Sequence, residues 1–317
     1  MAMEKDARLV TIFGGSGFVG RTLVQHLAKA GYRVRVAVRH PNSALFLKPL
    51  GEVGQIQVCQ ANIRHEESVR AAVQGSYAVV NLVGILYESG RQKFNTVQAL
   101  GAGLIAKNAA ASGVRKLVHI SAIGADAESP SAYAKSKAKG EEAVRHYFPS
   151  ATIFRPSIIF GADDGFFNRF GALAKCLPFM PVICGDTKFQ PVYVGDVADA
   201  ILKVIDTPGF EGRTFELGGP RVYSFRELLK LILKETRNDI PMIEIPLPLA
   251  RLQAFFLGLL PKPMLTLDQL RQLEKDNVVR EGADGLRELG LTPTPVESVI
   301  PSYMIHYRPK GQFEVEA

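Results

Sequence analysis

The sequence feature that most constrains the fold is a glycine-rich turn near the start of the chain. Segment 14–20 reads GGSGFVG, directly follows the apolar run Leu9–Phe13 and directly precedes a helical pattern. A buried strand that runs into a glycine turn and a helix N-terminus forms a cradle for phosphate groups. Gly14 permits the tight turn, Gly17 lets the backbone approach a pyrophosphate, and Gly20 lets the helix pack on the strand. The segment predicts a dinucleotide site; the alternative is a tight strand–helix turn in another kind of α/β protein.

The end of the second strand pattern indicates which dinucleotide is bound. An NAD site usually has an Asp or Glu there, about 20 residues after the turn, that binds the ribose 2′-hydroxyl. Here the pattern 32–38 ends on Arg39, and no acidic residue occurs between Asp6 and Glu52. A 2′-phosphate is best bound by a guanidinium with no carboxylate beside it. We therefore predict NADP(H), with Arg39 on the 2′-phosphate; the alternative is a solvated basic edge.

The composition is that of a globular protein. The chain has 317 residues, of which 47% are hydrophobic and 22% charged, which excludes a disordered or fibrous class. Its three cysteines, Cys59, Cys176 and Cys184, fit a reducing compartment and lack the spacing of a metal site. The net charge of +7 allows an anionic partner, but no basic helix or zinc knuckle favours nucleic acid. The early first strand predicts no secretory leader, as in a bacterial cytoplasmic or mature organellar protein.

Short apolar runs alternate with helical patterns through the first half of the chain. This alternation predicts a parallel sheet with helices on both faces. Beyond residue 155 the pattern becomes mixed, with prolines, short strands and a helix over 224–235 that Ser224 caps. We predict an α/β fold, a Rossmann-type doubly wound parallel sheet with a smaller mixed C-terminal lobe. The NADP(H)-binding domain covers 1–155, with 190–205 returning to it, and the substrate- or partner-docking lobe covers 156–317.

A tyrosine and a lysine in the predicted helix 132–147 are the candidate catalytic pair. Tyr133 and Lys137 lie four residues apart, so both project from one face, about one turn apart. An ammonium group beside a phenol lowers the phenol pKa and can also hold a ribose hydroxyl. Tyr133 can then exchange a proton with a substrate oxygen, which Ser121 at the end of the preceding strand orients. The same spacing also arises by chance on surface helices.

Motifs along the chain resemble the short-chain dehydrogenase/reductase superfamily in its extended and atypical branches. They are segments 14–20, 81–84, 155–157 and 191–198, Ser121, and the pair Tyr133/Lys137. A narrower resemblance, over nearly the whole chain, is to the NADPH-binding accessory subunits of mitochondrial respiratory complex I and their bacterial relatives. It is carried by segments 119–121, 159–161, 190–194, 286–291 and 293–295.

The resemblance implies a nucleotide site, residue by residue, and an NADP(H) cofactor. Its members are Gly14, Ser16, Gly17, Phe18 and Val19 at the pyrophosphate, Arg39 at the 2′-phosphate, Asn62 and Ile63 at the adenine, Val83 and Gly84 at the ribose, and Tyr133, Lys137 and Pro156 around the nicotinamide ribose and amide. Relatives often have Asp at the position of Asn62. Ala122 follows Ser121 where many active members carry a second Ser or Thr, which leaves the role of Ser121 open. The resemblance to the complex I subunits implies a nucleotide that serves structure more than turnover, so the Tyr133/Lys137 pair does not by itself make the chain an oxidoreductase.

Segment 246–267 is strongly apolar. It carries only two charges, Arg251 and Lys262, and its prolines limit a helix to about 249–260. Such a helix cannot span about 30 Å of hydrocarbon, which needs about 20 residues. Its large apolar side chains are Leu249, Leu252, Phe255, Phe256, Leu257, Leu259 and Leu260. The preferred hypothesis is a core helix of the C-terminal lobe; the other is a helix that docks on a membrane or at a quinone site.

Three functions are compatible with these features. The first is an NADP(H)-binding protein of the complex I accessory type, with a structural nucleotide, that docks near a membrane quinone site. Its partners would be complex I subunits, or the membrane surface through segment 249–260. Its location would be the bacterial cytoplasm or the mitochondrial matrix, peripheral at the inner membrane. The second is a free-standing NADPH-dependent reductase of a quinone precursor or another hydrophobic carbonyl. The third is a nucleotide-sensing regulator, which the Tyr133/Lys137 pair disfavours relative to the second.

Overall fold

A computed structural model of the chain describes residues 8–258, 260, 263 and 265–309. The chain divides into two compact units. Unit 1 contains the described residues up to Pro156, together with Gly195–Leu217 and Gly282–Leu291. Unit 2 contains Ser157–Val194, Gly218–Glu281 and the described residues from Thr292 onward.

The elements are named here in chain order. The strands are β1 (Leu9–Phe13), β2 (Arg33–Val38), β3 (Ile56–Gln60), β4 (Ala78–Asn81), β5 (Lys116–Ile120), β6 (Thr152–Pro156), β7 (Ile159–Phe160), β8 (Met180–Val182), β9 (Lys188–Phe189), β10 (Val192–Tyr193), β11 (Thr214–Leu217), β12 (Tyr223–Ser224) and β13 (Met242–Glu244). The helices are α1 (Phe18–Lys29), α2 (Glu66–Val73), α3 (Gly101–Ala111), α4 (Ala132–Tyr147), α5 (Phe167–Cys176), α6 (Val194–Asp206), α7 (Phe225–Thr236), α8 (Leu247–Leu257), α9 (Leu267–Leu273) and α10 (Pro301–Met304). Short 3-10 segments cover Pro41–Leu50, Val296–Ser298 and Ile305–Tyr307, and a π-helical turn covers Asn95–Leu100.

Unit 1 is built on a seven-stranded sheet with the order β3-β2-β1-β4-β5-β6-β11. Every neighbouring pair in it is parallel. The strand order reverses between β1 and β4, where Phe13 at the end of β1 pairs with both Ala37 and Asn81. The connections after β1 and β4 run in opposite directions and leave a crevice at the carboxyl ends of these strands. Open α/β sheets bind ligands in such a crevice. The predicted Rossmann-type doubly wound sheet is confirmed.

The last strand of this sheet is covered by a segment from much later in the chain. The Glu216 amide of β11 donates to the Asp284 carbonyl oxygen at 2.8 Å. The Asp284 carboxylate also forms an ion pair with Arg213, at 2.7 Å between Nη2 and Oδ2. Because these bonds satisfy groups along β11, the segment Gly282–Leu291 belongs to unit 1 although its neighbours in sequence belong to unit 2.

Unit 2 combines three small sheets with an aromatic core. The pairs β7/β10 and β8/β13 are parallel, and β9/β12 is antiparallel. The core between α5 and α7 includes Phe160, Phe167, Phe189 and Phe225, all buried. Helix α7 begins with a capping box, in which the Glu227 amide donates to Ser224 Oγ at 3.1 Å and the Ser224 amide donates to Glu227 Oε2 at 2.7 Å. The helix predicted over 224–235, with Ser224 as its cap, is confirmed.

Helix α8 covers most of the apolar segment 249–260. It begins at Leu247, because Pro248 lies in the first turn, where a proline costs no hydrogen bond. It ends at Leu257, and Leu259 lies outside the described residues. The buried side chains of α8 are two alanines, Ala250 and Ala254, which pack in one cluster with Leu270 of α9.

The large side chains of α8 point away from this cluster. Leu249, Leu252, Phe255 and Phe256 are 54%, 56%, 54% and 61% exposed. The preferred core-helix hypothesis is therefore wrong for these four residues, since the helix packs through Ala250 and Ala254 and leaves them exposed, while Leu257 is half-buried. Among the helices that the structure describes, none has the length and apolar character needed to cross a membrane.

Candidate functional site

The glycine turn forms the first wall of the site. Gly14 has a φ of +83°, in the left-handed region that favours glycine. The Gly17 amide donates to the Gly14 carbonyl oxygen at 3.1 Å and closes the turn. Helix α1 then begins at Phe18 with no side-chain cap and no acidic residue in its first turn. The first amides of α1 and the positive end of its dipole therefore suit an anionic group.

Gly20 is required by the close approach of α1 to the turn. A Cβ atom at this position would lie 2.5 Å from the Gly14 carbonyl oxygen and 2.5 Å from the Gly15 Cα atom. Both are backbone atoms, so a side chain at position 20 would force the helix away from the strand. The packing role that the sequence predicts for Gly20 agrees with this geometry.

A cavity of about 300 Å³ opens beside the turn, at the carboxyl ends of β1, β2, β3 and β4. Its wall contains eight of the predicted cofactor-binding residues, Gly14, Ser16, Gly17, Arg39, Asn62, Ile63, Val83 and Gly84. Phe18 and Val19 do not line this cavity and form the first turn of α1. The sheet therefore brings together, from four separate strand ends, residues that lie up to 70 positions apart.

A second cavity adjoins the first one at Arg39. This cavity, of about 630 Å³, shares Arg39, Asn62 and Arg64 with the first and adds His40 and His65. Among the described residues, no Asp or Glu lines either cavity. Arg64 was not predicted to contribute, although it follows Asn62 by two residues and parallel strands end at one edge of a sheet. That adjacency is the signal that could have identified it.

Asn81, at the end of β4, holds the loop that lines the cavity. Its Oδ1 accepts a hydrogen bond from the Val83 amide at 3.1 Å, and its Nδ2 lies 3.1 Å from His119 Nδ1. Because Nδ2 donates, His119 accepts at Nδ1 and carries its proton on Nε2. Burial and the nearby Lys137 ammonium lower the pKa of His119 to about 3, so the imidazole is neutral at physiological pH.

The predicted pair on α4 lies next to this loop. Lys137 Nζ donates to the Ile120 carbonyl oxygen at 3.1 Å and lies 5.9 Å from the centre of the Tyr133 ring. A Cβ atom on Gly84 would lie 3.4 Å from Lys137 Nζ, so the lysine reaches the cavity wall at Gly84. The ring of Phe94 packs edge-on against Tyr133 with 5.9 Å between ring centres. The structure thus brings Tyr133 and Lys137 to the same end of the sheet as the glycine turn.

The ionisation of the pair differs from the sequence-based expectation. Burial raises the pKa of Tyr133 to about 12, instead of the decrease expected beside an ammonium group. Burial also lowers the pKa of Lys137 to about 8, although the Glu141 carboxylate opposes that shift. Loss of solvation therefore outweighs the attraction of the Glu141 carboxylate at Lys137, and it alone accounts for the shift at Tyr133. Tyr133 is protonated at neutral pH, and as a phenol it can donate a hydrogen bond or a proton to a nearby oxygen.

Ser121 follows β5, and its hydroxyl is buried. Its amide donates to the Phe154 carbonyl oxygen at 2.7 Å, but Ser121 Oγ has no hydrogen-bond partner within the described ranges. A buried hydroxyl normally has a partner, so this group suits a polar atom of a ligand. Pro156, at the end of β6, accepts a hydrogen bond from the Ile123 amide at 3.0 Å and does not line the 300 Å³ cavity. The roles of Ser121 and Pro156 stay predictions.

A buried ion-pair network continues from Lys137 along α4. Glu141 lies one turn further on and forms a bidentate pair with Arg155 of β6, at 2.9 Å from Nε and 2.6 Å from Nη2. Glu216 of β11 lies 3.6 Å from Arg155 Nη1. Both glutamates are buried. These contacts fix α4 against the sheet and thereby hold Tyr133 and Lys137 in place.

Comparisons with known proteins show which family the chain is similar to. The model of the NAD dependent epimerase/dehydratase family matches residues 10–218. The NADH dehydrogenase (ubiquinone) 1 alpha subcomplex subunit 9, mitochondrial, of Arabidopsis thaliana is 35% identical over 96% of this chain and 79% of its own length. A ceramide reductase of Caulobacter vibrioides is 33% identical over 65% of this chain and 64% of its own.

A solved structure shows the same fold. An NADPH-dependent quinone oxidoreductase of Escherichia coli, complexed with NADPH, matches with a TM-score of 0.75 and 21% identity, over 93% of this chain and 99% of that one. The resemblance predicted from the motifs, to the short-chain reductases and to the complex I accessory subunits, is confirmed. One assignment follows from the glycine turn between β1 and α1, the parallel sheet that reverses at β1/β4, and the family match over residues 10–218. The chain belongs to the NAD dependent epimerase/dehydratase family.

Proposed function

We propose that this chain is an NADP(H)-binding protein of the complex I accessory type, in which the nucleotide mainly stabilises the fold. The observation that carries the proposal is the cavity beside the glycine turn, which Arg39 lines and to whose wall the described part of the chain contributes no carboxylate. Unit 1 is the nucleotide-binding part, and unit 2 carries the surface for a partner. The predicted domain limits, 1–155 with 190–205 and 156–317, stay a prediction.

The chain's own residues suit a nicotinamide nucleotide, which supplies hydride-transfer chemistry when it is bound. Gly14, Ser16 and Gly17 would hold the pyrophosphate, because their backbone lies at the N-terminus of α1. Lys137 would hold a ribose hydroxyl, since its Nζ lies beside Gly84 at the cavity wall. The raised pKa of Tyr133 favours a hydrogen-bonding role over rapid proton exchange.

The relatives and the surface of α8 support a location at a membrane. The Arabidopsis relative is named as a subunit of the mitochondrial NADH dehydrogenase. We propose that this chain joins respiratory complex I and that the exposed face of α8 contacts the membrane surface near a quinone site, in the mitochondrial matrix or the bacterial cytoplasm. Exposed leucines and phenylalanines are typical of helices that lie at a lipid interface, and a net charge of +7 favours anionic headgroups.

Nucleotide titration tests the cofactor and its role. We expect NADPH to bind more tightly than NADH, and Arg39→Ala to lose about 1.5–3 kcal/mol, roughly tenfold to a hundredfold in affinity, for NADPH alone. A ligand that binds only the native state adds about 2.7 kcal/mol at a hundredfold excess over Kd, so NADPH should raise the melting temperature. Equal affinities for the two nucleotides would contradict NADP(H) specificity, and an unchanged melting temperature would contradict a structural role.

Co-sedimentation tests the membrane surface. We expect the wild type to bind vesicles that contain phosphatidylserine. The double variant Phe255→Ser/Phe256→Ser should remain folded and bind NADPH normally, but it should no longer bind the vesicles. Each apolar side chain buried in the lipid interface contributes about 1.5–3 kcal/mol, so two substitutions remove most of the attachment. Binding to purified complex I without binding to vesicles would instead assign the face to a protein partner. Binding to neither would remove the docking proposal.

The second candidate function is a free-standing NADPH-dependent reductase of a quinone precursor or another hydrophobic carbonyl. The unpaired, buried Ser121 hydroxyl favours it, because such a group can orient a substrate oxygen. Tyr133→Phe should then abolish turnover with NADPH affinity nearly unchanged, while Lys137→Ala should weaken nucleotide binding. Full activity in Tyr133→Phe would exclude a catalytic phenol. No turnover of quinones or hydrophobic carbonyls by the wild type would leave the structural role.

A further inference from the structure

The two cavities meet at a pair of arginines that come from different strand ends. Arg39 follows β2, and Arg64 lies four residues after the end of β3. Both line the 300 Å³ cavity and the 630 Å³ cavity, together with Asn62. Strands β2 and β3 are parallel neighbours, so their carboxyl ends place these two positions at one edge of the sheet. The wall that the two cavities share thus contains two arginines.

The Arg64 side chain is held by neutral groups. Its Nε donates to Asn62 Oδ1 at 3.3 Å, and its Nη1 donates to the Arg91 carbonyl oxygen at 3.3 Å. The Arg64 backbone amide also donates to Asn62 Oδ1, at 3.2 Å. An amide at position 62 orients the guanidinium without neutralising its charge, which an Asp in the same place would do. Arg64 is therefore positioned by acceptors that carry no negative charge.

The carboxylates nearest in sequence to Arg64 are bound elsewhere. Glu66 Oε1 forms an ion pair with Lys107 at 2.7 Å, and Glu67 Oε1 with Arg70 at 3.3 Å. Neither Arg39 nor Arg64 has an ion pair with an acidic side chain in the part of the chain that the structure describes. Two arginines without an acidic partner repel each other, and a neutral ribose would not offset that repulsion. A dianionic phosphate would offset it.

We propose that Arg64 is a second specificity-determining residue, which binds the 2′-phosphate of NADP(H) together with Arg39. This inference rests on the proposed NADP(H) site and adds a residue to it. The Arg39 side chain is exposed, and within the described residues no hydrogen bond or ion pair orients it. The Arg64 guanidinium is oriented by its hydrogen bond to Asn62 and can therefore donate to the phosphate in a fixed direction. The preference for NADPH over NADH therefore depends on both arginines.

Competition binding against full-length protein tests the proposal, with 2′,5′-ADP and 5′-AMP as probes that differ only in the 2′-phosphate. Arg64→Ala should weaken 2′,5′-ADP and NADPH about tenfold and leave 5′-AMP and NADH within about twofold. Arg64→Lys should lose part of this preference, because lysine keeps the charge but not the planar pair of donors. Arg70→Ala is the matched control: it removes one exposed positive charge outside both cavities and should change nothing.

The outcomes separate this inference from the proposed function. If the wild type prefers NADPH and Arg64→Ala keeps the full preference, Arg39 acts alone and the role of Arg64 is wrong. If Arg64→Ala weakens 5′-AMP as much as 2′,5′-ADP, Arg64 supports the adenine end of the cavity and not the phosphate. If the wild type binds both probes equally, the NADP(H) specificity itself fails and the role of Arg64 fails with it.

Discussion

Helices α4 and α8 depart from the usual burial of side chains in opposite directions. Helix α4, in unit 1, buries Lys137 and Glu141, which are charged. Helix α8, in unit 2, buries two alanines and exposes Phe255 and Phe256. Charged groups are rarely fully buried unless paired, and large apolar groups seldom form an exposed row on one helix. Each helix therefore carries a feature that folding alone does not favour.

Each unit accepts a cost in stability at a different place. In α4, the buried charges are tolerated because Arg155 pairs with Glu141 and because Lys137 has the Ile120 carbonyl as its acceptor. In α8, the cost is exposed apolar surface, which no contact within the described residues of unit 2 removes. The first feature fits an internal ligand site, and the second fits an external partner. Substitutions in the two helices should therefore affect stability very differently.

The largest effect is expected for the buried ion pair of α4. Glu141→Ala leaves the Arg155 guanidinium with only the more distant Glu216, so the free energy of unfolding should fall by about 3–5 kcal/mol. Glu142→Ala, at the next and exposed position of the same helix, should change it by less than about 0.5 kcal/mol. Urea denaturation of both variants measures the difference. Equal effects would mean that the network does not hold α4 in place.

The next effect concerns pH and Lys137. Its pKa is about 8 in the folded protein and 10.5 in an unfolded chain, so between these values the unfolded state binds more protons and stability increases with pH. The wild type should therefore gain about 1.4 kcal/mol per pH unit relative to Lys137→Met over this range. Lys135→Met changes an exposed position, so its free energy of unfolding should depend on pH in the same way as that of the wild type. A constant difference between wild type and Lys137→Met would show that the lysine is not desolvated.

A smaller effect is expected where α8 packs. Ala254 is 1% exposed, so Ala254→Leu must force extra methylene groups into a filled site. Such overpacking costs about 1–3 kcal/mol. Thermal and urea unfolding of the isolated protein measure the loss. A neutral result would show that α8 packs loosely and that its small residues do not define the buried face.

The smallest effect is expected on the other face of α8. Phe255→Ser/Phe256→Ser removes two large side chains that are already more than half exposed, so the free energy of unfolding should change by less than about 1 kcal/mol. One alanine substitution would then cost more than the loss of two phenylalanines. The reverse order, with the double variant unfolding unit 2, would restore the core-helix hypothesis for α8.

Several features could be predicted because their causes are local in sequence. The turn between β1 and α1 depends on glycines within seven positions, and the capping box of α7 needs only Ser224 and Glu227. The spacing of Tyr133 and Lys137 places both on one face of any helix that contains them. The helix predicted over 132–147 has the bounds of α4 in the structure. In each case neighbouring residues supply both the signal and the geometry.

Other features depend on segments that meet only in the folded chain. Apart from Arg251 and Gln253 the segment 249–260 has no polar side chain, so its pattern does not tell which face is buried, and the packing of Ala250 and Ala254 decides this. Arg64 and Arg39 line the same two cavities because β2 and β3 are neighbours in the sheet. The pKa of Tyr133 rises because surrounding elements remove water from it, which the local Tyr–Lys spacing cannot reveal.

The sequence by itself therefore determined the α/β fold, the glycine cradle, the Tyr133/Lys137 face and the family, since these follow from spacing and local propensity. The tertiary structure decided which charges are desolvated, that segment 282–291 covers the edge of β11, and which face of α8 stays exposed. The physical reason is that solvation and burial are properties of everything packed around a residue. Contacts between distant segments set them, and no short window of sequence contains those contacts.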